Sequence, residues 1–70
     1  MMPLSMVNEG EPQVIKKVGG KEENRKFLEN LGFVQGATVT VVSEISGNMI
    51  VNVKDSRVAI GKDMANKIMV

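Results

Sequence analysis

At 70 residues the chain has room for one domain, spanning 1–70, and a domain of that size buries only about 60% of the surface its unfolded chain exposes. It contains neither cysteine nor histidine, which excludes disulfide staples, a Cys/His zinc site and the commonest catalytic base. Nine basic residues against eight acidic ones leave a formal charge of +1, too even a balance for the clustered cations that nucleic acid requires.

The N-terminal MMPLSMVNEGEP has no lysine or arginine ahead of an apolar run and is interrupted by Pro3 and Asn8, so it does not read as a secretory signal. No stretch approaches the roughly 18 apolar residues of a membrane span, and a cytoplasmic location is expected. Leu4 to Val7 is a short apolar segment after a proline, expected as a lid or a single helical turn, and Asn8, Glu9 and Gly10 form a turn. The β-branched run QVIKKV, Gln13 to Val18, reads as the first strand and ends at Gly19 and Gly20.

KEENRKFLENL has helical spacing. Glu22 stands four before Lys26 and Arg25 four before Glu29, two surface pairs worth about 0.2–0.5 kcal/mol each. Phe27, Leu28 and Leu31 form a narrow apolar face that can plug one open side of a sheet. Gly32 falls where a left-handed C-terminal cap is wanted, Phe33 supplies the apolar residue that packs back on the last turn, and Val34, Gln35 and Gly36 turn the chain.

The second half reads as strands. Ala37 to Ile45 is long; Val39 and Val41 share one face, while Val42 and Ile45 break the alternation and predict a bulge or a bend that lets the strand serve two sheets. Ser46, Gly47 and Asn48 make a tight hairpin connection to a strand over Met49 to Lys54, with Met49, Val51 and Val53 inward. Asp55 and Ser56 form a second turn, Arg57 to Ile60 a short strand, Lys62 to Asn66 a helical turn opened by Gly61, and Lys67 to Val70 the closing strand. The spacing of turn signals predicts an all-β fold with a minor helix: a small antiparallel barrel or sandwich of about five strands, curled so that its edges are mostly hidden.

Chemistry is scarce. Ser5, Ser43, Ser46 and Ser56 have no base or motif around them. Glu9, Glu11, Asp55 and Asp63 lack EF-hand spacing, and the six methionines are scattered, so surface charge and core filling are the favoured readings. Gly32 and Gly36 follow a helix rather than precede one, which brings its carbonyl end to the loop and repels a phosphate. Lys16, Lys17, Lys21, Arg25 and Lys26 are interleaved with Glu22, Glu23 and Glu29 and have no stacking aromatics beside them, a solvated face rather than an RNA site. No catalytic residue, cofactor or metal site is expected.

The corner LENLGFVQGATVTVV, the turn at Gly10 after Leu4, and the ending RVAIGKDMANKIMV together resemble the ferrous iron transport protein A (FeoA) family. The match runs through Leu28, Leu31, Gly32, Phe33, Gly36, Val39 and Val41, then Ala65, Ile68 and Val70, and covers nearly the whole chain. The resemblance implies an SH3-like barrel with one inserted helix, a bacterial cytoplasmic accessory protein of ferrous iron uptake. The resemblance also implies that it is not itself an enzyme. Its implied partner is the cytoplasmic GTPase region of the FeoB-type transporter, with no membrane insertion of its own, no nucleic acid, and a monomer as the default state. The hairpin SGNMI is shorter than in many members and lacks a proline often found there, and Gly61 stands where arginine or serine is common. Expected partner contacts are the corner Phe33, Val34 and Gln35 and the hairpin Gly47, Asn48 and Met49. The alternative is a regulatory domain, since similar SH3-like domains form the C-terminal part of iron- and manganese-dependent repressors; no helix-turn-helix accompanies it here.

Overall fold

The computed structural model describes residues 1–70. A 3-10 turn at Leu4–Met6 precedes β1 (Pro12–Val14), β2 (Lys17–Val18), α1 (Glu22–Leu31), β3 (Thr38–Ile45), β4 (Asn48–Val53), β5 (Ser56–Gly61), α2 (Lys62–Ala65) and β6 (Ile68–Met69). One antiparallel sheet has the order β1-β3-β4-β5, and a second pairs β2 with β6. The expected first strand is thus two strands. Its break comes where the chain changes sheets: Ile15 donates to Ala37 O (2.9 Å) and accepts from Gly36 N–H (2.8 Å), while Lys16 N–H reaches Met69 O (2.8 Å). Neighbouring residues therefore serve different sheets, so the dual role expected of β3 falls instead to the junction of β1 and β2. β3 stays in one sheet throughout, and its register slips at Val42, between Val41 and Ser43, where a bulge is expected from the broken alternation.

Period-2 alternation puts Val39 and Val41 of β3, Met49, Val51 and Val53 of β4, and Ile60 of β5 on one face. Leu4, Ile15, Leu28, Phe33, Ala65, Ile68 and Val70 complete a core of 13 apolar residues, and no polar or charged side chain is buried. With no covalent or metal staple, this core carries the fold. Each fully buried aliphatic side chain contributes roughly 1.5–3 kcal/mol.

The first hairpin is tighter than the sequence suggests, and the second keeps its two-residue turn but one position earlier, at Lys54 and Asp55 instead of Asp55 and Ser56. Ile45 pairs with Asn48 around Ser46 (φ 50°) and Gly47 (φ 81°), and Val53 pairs with Ser56 around Lys54 (φ 49°) and Asp55 (φ 63°). Positive φ at both central residues is the type I′ geometry whose twist matches the flanking strands. Asn48 and Ser56 consequently belong to strands. Leu4, wholly buried in its single turn, acts as the expected lid.

On α1 only Leu28 is buried and Leu31 half-buried, while Phe27 is 53% exposed, against its expected place on the covered face. At about 100° per residue, Phe27 lies about 100° to one side of Leu28, with Arg25 and Glu29 on the other side. The covered stripe is narrower than the apolar one. Glu22 and Lys26 pair at 3.5 Å, both well exposed; Arg25 and Glu29 form no ion pair. No helix is long and apolar enough to cross a membrane.

Candidate protein-binding site

The corner after α1 is set by backbone conformation. Gly32 adopts φ 109°, its N–H returns to Glu29 O at 2.9 Å, and Phe33 N–H reaches Leu28 O at 2.9 Å, the bonds that satisfy the last carbonyls of a helix closed by a left-handed residue. A Cβ at Gly32 would stand 3.2 Å from Lys54 Cδ and 3.4 Å from Val53 Cγ2, so the cap also packs against the end of β4. Ala37 N–H then bonds Val34 O (3.0 Å), with Gly36 at φ 89° in the third position of the turn, as a type II turn requires. Gly36 N–H to Ile15 O anchors that turn to the sheet junction.

This arrangement divides the expected contact residues. Val34 is half-buried and Gln35 exposed, and both line an open cleft of about 510 Å³ between α1 and β2 with Lys16, Lys17, Arg25 and Glu29. None of Lys16, Lys17 and Arg25 has a carboxylate within ion-pair distance. Phe33 is wholly buried, because the cap directs its ring under the last turn of α1, so it shapes the corner and offers no contact surface. At the hairpin, Gly47 and Asn48 are exposed, whereas Met49 is 3% exposed because the pleat turns it inward with Val51 and Val53. Phe33 and Met49 are therefore withdrawn as direct contacts.

The corner and the hairpin do not form one surface. They stand at opposite ends of the eight-residue β3, separated by roughly 25 Å of extended chain. The hairpin is fastened by Lys62, whose N–H bonds Gly47 O at 3.0 Å and whose Nζ meets Glu44 Oε1 at 3.0 Å. The residue missed by sequence reasoning is Phe27. Its ring is the one exposed aromatic group in the chain, and aromatic side chains, phenylalanine included, are enriched where proteins meet. The available signal was its spacing from Leu28: on a helix, adjacent residues cannot both face a narrow contact.

No three acidic side chains converge as a metal site would need, and no buried side-chain polar atom lacks a partner. What the surface offers is an aromatic ring on one flank of α1, a cleft with free cations on the other, and a hairpin tip at the far end.

Comparison with known proteins agrees with this architecture. The family model described as the FeoA domain matches residues 2–70. A protein of Methanocaldococcus jannaschii, provisionally named Fe(2+) transport protein A, is 34% identical over 70 residues, covering all of this chain and 85% of its own. The crystal structure of an iron uptake regulatory protein (FeoA) superposes with a TM-score of 0.87 at 29% identity, covering 96% of this chain and 91% of the other. The zinc-complexed FeoA of Stenotrophomonas maltophilia, an SH3 domain protein suggested to act as a ferrous iron transport activating factor, gives 0.85 at 24% identity over 99% and 88%. A manganese-dependent transcriptional repressor shares the fold at 0.84 and 16% identity, with 94% of this chain matched to 38% of the repressor.

Proposed function

The chain belongs to the FeoA family, a family of small SH3-like proteins of ferrous iron transport and not a known enzyme family, and from that premise we propose that it is a cytoplasmic accessory protein that binds the cytoplasmic GTPase region of a FeoB-type transporter and modulates it. The observation that carries this reading is the family match across residues 2–70. The surface supports it: the exposed Phe27 ring and the cations Lys16, Lys17 and Arg25, none of them in an ion pair, are presented to solvent. Docking is proposed through both flanks of α1, with Phe27 as the anchor on one and Val34 and Gln35, in the cleft, on the other. The exposed hairpin residues Gly47 and Asn48 form a second, separate point of contact.

Calorimetric titration of the full chain against the transporter's cytoplasmic region tests this. Phe27→Glu and Val34→Glu should each weaken binding by about tenfold or more, the range of hot-spot truncations, while circular dichroism stays unchanged. Absence of binding by the unmodified chain, or unchanged affinity in both variants, would overturn the proposal. The likeness to the repressor favours one second reading, a regulatory domain that responds to metal. Peak shifts of the isotope-labelled chain with anaerobic Fe²⁺, and none with the transporter region, would select that reading instead.

A further inference from the structure

The two sheets leave four outer edges, and three are blunted. β1 is three residues long and begins with Pro12, which has no N–H to offer, and β2 is only two residues long. β6 is covered by the chain's own N-terminus: Pro3 bridges Met69, and Met2 and Val70 exchange backbone bonds of 3.0 and 2.9 Å. β5 differs. It is six residues long, has neither proline nor bulge, and pairs only with β4.

The pairing phase shows which of its groups are free. Lys62 N–H bonds Gly47 O, so in the alternating antiparallel pattern the bonded pairs are Met49 with Ile60, Val51 with Val58, and Val53 with Ser56. The backbone N–H and C=O of Arg57 and Ala59, and the N–H of Gly61, therefore point away from the sheet; the Gly61 carbonyl, at the N-cap of α2, belongs to that helix. Arg57 and Ala59 are both exposed.

We infer that this edge pairs with β5 of a second copy, antiparallel across a two-fold axis at Ala59, joining two four-stranded sheets into one of eight. That register uses every free group except the Arg57 N–H, which faces the Gly61 carbonyl already engaged by α2. Ala59 of each copy exchanges two bonds with Ala59 of the other, and each Gly61 N–H meets the other copy's Arg57 carbonyl. It also matches charge. A Cβ on Gly61 would lie 2.6 Å from Asp63 Oδ1, so the Asp63 carboxylate sits over the face on which Arg57 of the second copy, opposite Gly61, would project its guanidinium. Arg57 never faces its own equivalent. Because the N-terminus occupies β6, a head-to-tail chain of β5 on β6 is blocked, and the isologous pair is the closed solution. This inference stands apart from transporter binding through α1 and its corner, to which β5 contributes nothing; only the second contact, at Gly47 and Asn48, adjoins the Gly61 end of β5.

Sedimentation of the full chain from micromolar to millimolar concentration should show the mass rising toward that of a dimer. Ala59→Pro removes only an N–H that points off the sheet and should leave a monomer. The chain has no cysteine, so Ala59→Cys places a single thiol beside the axis, with a Cα–Cα separation of about 5.5 Å across the bonded pair, within the disulfide range, and should crosslink far faster than Gln35→Cys under mild oxidation. Arg57→Glu should weaken dimerisation by roughly fivefold, as the loss of two exposed ion pairs would, and adding Asp63→Arg should restore it. A monomer at every concentration, equal crosslinking of the two cysteine variants, or a dimer that survives Ala59→Pro would each overturn the inference.

Discussion

Phe27 and Phe33 are the chain's only aromatic residues, six positions apart, and the fold treats them oppositely: Phe33 is wholly buried and Phe27 is 53% exposed. The difference comes from the backbone. Phe33 follows a left-handed glycine that swings the chain across the end of α1 and directs the ring into the core, whereas Phe27 sits beside Leu28 on a helix whose contact stripe admits only one of them. One ring holds the corner together, and the other remains available to something outside the chain.

The widest gap between the two regions should appear in stability. Phe33→Ala removes a buried ring and should cost about 3–5 kcal/mol, while Phe27→Ala, on an exposed flank, should stay within about 0.5 kcal/mol. A domain of 70 residues has roughly 3.5–10 kcal/mol in all, so urea titration should find the Phe33→Ala midpoint lowered by a third or more of that stability, and the variant unfolded outright if the total is at the low end, beside a near-normal Phe27→Ala. Equal losses would mean that the ring of Phe27 is covered in solution, and the contrast would fail. Binding should reverse the order: Phe27→Glu, harmless to the fold, is the variant expected to lose the transporter.

Next in size is the residue that sends Phe33 inward. Gly32→Ala places a side chain at φ 109°, beyond the region that alanine tolerates, and meets Lys54 at 3.2 Å. A loss of about 1–2 kcal/mol is expected, measured by thermal or urea unfolding. The same change at Gly36, whose Cβ would meet nothing within 4 Å, isolates the conformational part of that cost.

Much of this was legible in the sequence, for reasons that vary by element. The Gly32 cap, the bulge at Val42 and the inward set Met49, Val51 and Val53 all follow from local rules, a φ preference or a period of two, and the structure bears them out. The division of the first strand at Ile15 was not legible, because it depends on Ala37 and Met69, distant residues that claim adjacent backbone groups for different sheets. Contact assignment failed where one residue has two opposed faces to choose from. Met49 adjoins the hairpin tip in sequence, yet the pleat buries it; Phe27 belongs to an apolar stripe wider than the sheet can cover.

The smallest expected effect lies in the turn that leans on the buried corner. Lys54 and Asp55 both hold positive φ with no glycine between them, while the other hairpin meets the same geometry with Gly47 at its second position. A left-handed conformation is disfavoured for residues bearing a Cβ, mildly for Asp and more for Lys, and Asn-Gly is the sequence that this turn type prefers. Replacing Lys54 by Asn and Asp55 by Gly should therefore raise stability by about 0.5–1 kcal/mol, and Gly47→Ala should lower it by a similar amount. The Lys54 side chain adds a complication that sharpens the test, because it packs over Gly32 at the corner. If the gain from the Asn-Gly turn persists in a Gly32→Ala background, the turn acts through its own backbone. A larger gain there would show that removing the Lys54 side chain makes room for the new methyl group, and that the turn and the corner beneath Phe33 are energetically one unit.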